Sequence, residues 1–227
     1  MAVAVSVVSF KAKRSFVASA VLGLGLGWLA WASPAFAAGA AMPARTILVL
    51  GDSISAGYGI NLEDGWVALL QKRLKAQGYG YRVVNASVSG ETTSGGLQRL
   101  PRALSIHNPA IVVIELGGND GLRGLPLTTT RDNLNRMVEL SLAARAGVLL
   151  LGMKVPPNYG PRYTEGFEQS FADLARRKKL AFIPFFLDQV ALKPGLMQAD
   201  GLHPTAGAQT LMLDAVWPTL QTRLLKR

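Results

Sequence analysis

Two histidines and no cysteine narrow the chemistry this chain can carry. Without cysteine there is no thiolate nucleophile, no thiolate metal site and no disulfide. A serine hydroxyl remains, and it is a poor nucleophile until a neighbouring base takes its proton. His203 is the candidate base, in the segment Asp200-Gly201-Leu202-His203-Pro204. An aspartate bonded to one imidazole nitrogen fixes the tautomer, so the other nitrogen can accept a serine proton. Asp200, on the same turn as His203, is the candidate orienting group. Alone, this Asp-x-x-His spacing is a weak signal, because a helix-capping loop has the same composition. The other histidine, His107, sits in a polar helix-to-strand connection (SIHNP) and reads as a solvated loop residue.

The candidate nucleophile is Ser53, in Gly51-Asp52-Ser53-Ile54-Ser55-Ala56-Gly57. Acyl transfer also needs donors aimed at the oxygen of the tetrahedral intermediate. The backbone N–H groups of Ser53 and Gly90 and the side-chain amide of Asn119 are candidates. Each such donor typically contributes about 10² to 10³ in rate. Read singly, the glycines and the Asn119-Asp120-Gly121 run are also ordinary turn chemistry.

These groups must be positioned by the elements around them. Residues 46–50 (TILVL) form a short aliphatic run ended by glycine, which predicts a buried strand. Residues 82–85 (RVVN), 110–116 (AIVVIEL), 148–151 and 181–183 give four more. Helical spacing recurs between them: Trp66, Leu69, Leu70 and Leu74; residues 94–105, interrupted or kinked near Pro101; Leu134, Met137, Val138 and Leu142; a helix ending at Lys179; and Ala208, Leu211, Met212, Ala215 and Val216. A loop rich in Pro, Gly and Tyr is expected to run to about Tyr163. Continuous apolar strands alternating with helices imply an α/β fold, a parallel sheet covered on both faces. Ligands bind such sheets beyond the carboxyl ends of the strands. Ser53, Gly90 and Asn119 follow the first three strands, and His203 precedes the last helix.

The 227 residues, 49% hydrophobic, suit one domain plus a short extension, with no linker or repeat inside. The extension is N-terminal. Lys11, Lys13 and Arg14 precede an uncharged stretch over residues 15–44, which contains Pro34 and then Ala35-Phe36-Ala37. This predicts a secretory signal peptide over residues 1–37, cleaved before Ala38, with residues 38–227 as a single exported domain, periplasmic or secreted. An uncleaved anchor is the alternative. The formal net charge of +10 is spread thinly. Its densest cluster, Arg176 to Lys179, suits a solvated helix end. No nucleic-acid-binding motif is present.

Four blocks in order resemble the SGNH, or GDSL-type, hydrolases: GDSISAGYG (51–59), NASVSGETT (85–93), GGNDG (117–121) and DGLHP (200–204). Within that family the chain looks closest to the periplasmic multifunctional acyl-CoA thioesterase I / lysophospholipase L1 / arylesterase group, through ELGGNDGLRG, PPNYGPRY and LKPGLMQADGLHP. The resemblance implies Ser53, Asp200 and His203 as the triad, and Ser53 N–H, Gly90 N–H and the Asn119 amide as the oxyanion hole. It implies a flavodoxin-like three-layer α/β/α sandwich with five parallel strands. The Gly-x-Ser-x-Gly elbow of α/β-hydrolases is missing, since position 55 is serine.

The chemistry expected is hydrolysis of esters and thioesters with short to medium acyl chains, extending to aryl esters, acyl-CoA and lysophospholipids, through an acyl-enzyme. Leu122, Leu125, Pro157 and Tyr159 are candidates for an acyl groove, the last two in a loop that would serve as a lid. The expected partners are small-molecule substrates and transient lipid, with no nucleic acid, metal or cofactor, in a monomer. A carbohydrate acetylesterase of the same family is the nearest alternative. A phosphate- or flavin-binding protein would leave Asn119, Asp200 and His203 without roles.

Overall fold

The computed structural model describes residues 45–225, so the leader expected over residues 1–37 lies outside them. Five strands form one parallel sheet: β1 (Arg45–Gly51), β2 (Tyr81–Asn85), β3 (Ile111–Glu115), β4 (Gly147–Leu151) and β5 (Ala181–Ile183), in the order β2-β1-β3-β4-β5. This is the flavodoxin-like order, which reverses direction between β1 and β3. The sequence of each strand explains its place. β3 is buried along its whole length and β1 everywhere except Arg45, as befits central strands covered on both faces, whereas the edge strands β2 and β5 are only partly buried.

Seven α-helices accompany the sheet among the described residues: α1 (Ser53–Ala56), α2 (Trp66–Ala76), α3 (Thr93–His107), α4 (Gly118–Leu122), α5 (Leu127–Ala143), α6 (Pro161–Lys178) and α7 (Gln209–Arg223). Helices α2 and α7 pack together, and α5 packs between α3 and α6. Fully buried Trp66 meets Phe186 edge-on on one side, and Phe167 meets Phe171 edge-on on another. Truncating such side chains to alanine typically costs 3–5 kcal/mol.

Two expectations are corrected. Helix α3 is not interrupted at Pro101 but continues to His107. The proline removes one N–H donor, but Leu100 is fully buried and Leu97 and Leu104 pack on the core, so tertiary packing outweighs the lost bond. The loop after β4 is also shorter and more ordered than expected. Residues Pro157–Tyr159 form a 3-10 turn and α6 begins at Pro161, whose fixed φ suits a first helical position. Only residues 152–160 remain as the connection.

Candidate active site

Strand β1 delivers Ser53, the candidate nucleophile, at its carboxyl end. Asp52 caps α1, its Oδ1 accepting the Ile54 N–H at 3.0 Å, and Gly57 closes the helix in the left-handed conformation. Ser53 is therefore the first residue of a single rigid turn, 9% exposed.

His203 reaches that serine from 150 positions away: its Nε2 lies 2.8 Å from Ser53 Oγ. It rides on the long connection between β5 and α7, where Met197 and Pro204 form an antiparallel bridge. Asp200 Oδ2 lies 2.7 Å from His203 Nδ1, and its Oδ1 accepts the N–H groups of Leu202 at 2.9 Å and His203 at 3.0 Å. The bond from the imidazole, then those two N–H groups, hold Asp200 at a pKa of about 2. Asp200 is thus an acceptor only, so the proton between the pair sits on Nδ1. Nε2 is left to accept from the serine hydroxyl. The Tyr58 ring covers the imidazole, with centroids 4.5 Å apart and planes tilted by 39°.

The Gly90 turn follows β2, with Gly90 at φ +78°, a conformation that favours glycine. Several contacts brace it. The Gly90 carbonyl accepts Arg123 Nη2 at 3.1 Å, while Arg99 donates through Nε to the Glu91 carboxylate at 2.6 Å and through Nη1 to the Ala86 carbonyl at 2.9 Å. Among the described hydrogen bonds, neither the Ser53 N–H nor the Gly90 N–H has a partner. Asn119, on α4 after β3, donates its amide to Asp52 Oδ2 at 3.2 Å and to the Glu91 carbonyl at 3.0 Å. It ties the nucleophile segment to the Gly90 turn.

Beneath Ser53 lies a pair of acids that the sequence reading left without a role. Glu115 ends β3 opposite Gly51 and is fully buried; its Oε2 accepts the Ser55 hydroxyl at 2.7 Å and the Asp52 N–H at 3.3 Å. Its Oε1 has no partner. Burial, then the Asp52 charge, pushes Glu115 well above its ordinary value, and burial pushes Asp52 to about 6. A lone carboxylate at the end of AIVVIEL was the available signal, since a charge in a doubly covered strand must be partnered or neutral.

The four groove candidates are placed unevenly. Tyr159 donates its hydroxyl to the Leu122 carbonyl at 2.6 Å, and Tyr163 donates to the Leu125 carbonyl at 2.8 Å, so the end of α4 is bound to the 3-10 turn and the loop after it to the start of α6. A cavity of about 610 Å³ is lined by Tyr159 with Leu127, Arg131, Tyr163 and their neighbours. Leu122, Leu125 and Pro157 do not line it; Pro157 is exposed. His107 ends α3, at the end of the sheet away from Ser53. Among the described residues no group of three or more His, Cys, Asp or Glu is arranged to hold a metal ion.

The model of the GDSL-like lipase/acylhydrolase family matches residues 49–211. The chain is similar to esterase TesA of Pseudomonas aeruginosa, 55% identical over 181 residues, covering 80% of this chain and 90% of that protein. It is similar to thioesterase 1/protease 1/lysophospholipase L1 of Escherichia coli K12, 43% identical over 181 residues, covering 80% and 86%. Among solved structures it resembles the psychrotrophic esterase EstA from Pseudoalteromonas sp., inhibited by monoethylphosphonate. There the TM-score is 0.75 at 44% identity, covering 78% of this chain and 97% of that one.

Proposed function

The chain belongs to the GDSL-like lipase/acylhydrolase family and is an SGNH-type serine esterase/thioesterase; on that footing we propose that Ser53 is its nucleophile, His203 its general base and Asp200 the group that orients the base. The observation that carries this reading is the unbroken line from Asp200 Oδ2 to His203 at 2.7 Å and on to Ser53 Oγ at 2.8 Å. As Ser53 Oγ attacks the carbonyl, its proton passes to Nε2, and the imidazolium is held by ionised Asp200. The oxyanion takes the N–H groups of Ser53 and Gly90, with the Asn119 amide as third donor. His203 then protonates the leaving alcohol or thiol. It next takes a proton from water, which attacks the acyl-Ser53 carbonyl, and returns that proton to Ser53 Oγ as the acid leaves.

The substrates in this reading are esters and thioesters with short to medium acyl chains, including aryl esters, acyl-CoA and lysophospholipids. The acyl chain lies toward Leu122, Leu125, Pro157 and Tyr159. The protein works as a monomer, needs no metal or cofactor, touches lipid transiently and is exported after loss of residues 1–37. The testing experiment is Ser53→Ala, assayed on a p-nitrophenyl ester and an acyl-CoA. The loss should reach at least about 10³-fold with the circular-dichroism spectrum unchanged. A folded variant that retains activity would remove Ser53 from the reaction. A chain-length series on the wild type separates the acetylesterase alternative, which requires activity confined to acetate.

A further inference from the structure

The base of this site is not carried by a helix or strand. His203 sits in the segment between β5 and α7, and something must hold that segment against the nucleophile turn. Hydrogen bonds within it are local: Gln198 N–H to the His203 carbonyl at 2.7 Å, Gly201 N–H to the Gln198 carbonyl at 2.9 Å, and Thr205 N–H to the Leu196 carbonyl at 2.8 Å. They fix His203 relative to Gln198 but not relative to Ser53. Among the described hydrogen bonds, residues 195–205 are joined to the nucleophile turn by two only. One is the His203–Ser53 contact itself; the other runs from Gln198 Nε2 to the Tyr58 carbonyl at 2.8 Å.

The geometry points to Gln198 as a positioning residue that sets the reach of His203 Nε2 to Ser53 Oγ. Its amide spends both hydrogens on the task, the second going to the Pro204 carbonyl, next to His203, at 3.0 Å. Tyr58 completes the clasp from the other side: its N–H bonds to the Ser53 carbonyl at 3.0 Å, and its ring lies on the imidazole. The chain leaves room for this amide. A Cβ at position 59 would come within 2.3 Å of Gln198 Oε1, and Gly59 also stands at φ +75°. One side chain therefore links the backbone beside the nucleophile to the backbone beside the base, across 140 positions of sequence.

This inference rests on the triad reading, and the experiment separates the two. Gln198→Leu keeps the volume and removes both donors. Active sites are titrated with a p-nitrophenyl phosphonate, and kcat is expressed per titrated site beside wild type, while Ser53→Ala, which offers no site to titrate, is assayed per mole of protein. A misplacement on the order of 1 Å costs about 10²-fold, so kcat should fall about 10- to 100-fold with KM within about threefold. Gly59→Ala, which pushes the amide from the other side, should lower kcat in the same way and serves if Gln198→Leu does not fold. Wild-type kcat per titrated site in the folded variants, or a rise in KM alone, overturns the role of Gln198. Activity retained by Ser53→Ala would instead overturn the triad beneath it.

Discussion

Asn119 donates both hydrogens of its side-chain amide within the site, one to Asp52 Oδ2 at 3.2 Å and one to the Glu91 carbonyl at 3.0 Å. The amide is held in one orientation before substrate arrives, and to stabilise an oxyanion it must share one of those hydrogens. A donor held in place beforehand needs little reorganisation as charge develops in the reaction.

Asn119→Ala should therefore lower kcat by about 10²-fold or more and leave KM nearly unchanged. Steady-state kinetics on a p-nitrophenyl ester checks this. A rise in KM at constant kcat would assign Asn119 to ground-state binding.

Asp200→Asn replaces an acceptor-only group with an amide that can face Nδ1 with a donor. The wrong tautomer would then put the proton on Nε2, where it blocks the serine. The expected loss in kcat is roughly 10³- to 10⁴-fold. In the wild type, Asp200 supports His203 above the ordinary value of 3.8 and loses that role only as pH falls through about 2. An acid limb of activity above pH 4 thus belongs to another group. A limb that Asp200→Asn moved to lower pH, at otherwise full rate, would contradict this.

The buried acid pair has a signature in stability. Burial raises Glu115 above its ordinary 4.5, so the folded chain holds this proton more tightly than the unfolded one. Stability from that proton is complete below about 4.5 and declines as pH rises toward the raised value. Glu115→Gln cannot ionise and can offer the same acceptor to Ser55. It should melt higher than wild type at pH 8 and at the same temperature near pH 4, with about 2–4 °C for each kcal/mol relieved. Melting curves at the two pH values decide it; an equal difference at both would exclude ionisation as the cause.

The acyl-chain reading of the end of α4 gives a graded test. Leu122, 36% exposed, is held by the Tyr159 hydroxyl on its carbonyl. Leu122→Ala removes apolar contact worth roughly 1–2 kcal/mol, so kcat/KM should fall about 5- to 30-fold on p-nitrophenyl octanoate and little on the acetate. Equal losses on both esters would remove Leu122 from the groove.

What could be read from the sequence divides along physical lines. β1, β3 and β4 were legible because strands covered on both faces must be continuously apolar, and the sheet rule then placed Ser53, Gly90, Asn119 and His203 at one edge. Helix α3 is not interrupted at Pro101, and this was not legible because local propensity does not include the burial of Leu100. The supporting contacts were illegible for a different reason. That Glu115 lies under Ser55, that Asn119 meets Asp52, and that Gln198 reaches Tyr58 all depend on register and on loop paths fixed only in the folded chain. The lone carboxylate in β3 pointed to one of them; nothing in the spacing of Gln198 pointed to its partner.

The most direct test is chemical. A p-nitrophenyl alkylphosphonate, whose tetrahedral phosphorus resembles the acyl-transfer intermediate, is incubated with the wild type and its peptides are mapped by mass spectrometry. One equivalent should be found on Ser53, formed fast in the wild type, slowly in His203→Ala and not at all in Ser53→Ala. Stoichiometric modification at any other residue, with activity lost in step, would contradict the assignment of Ser53 as nucleophile.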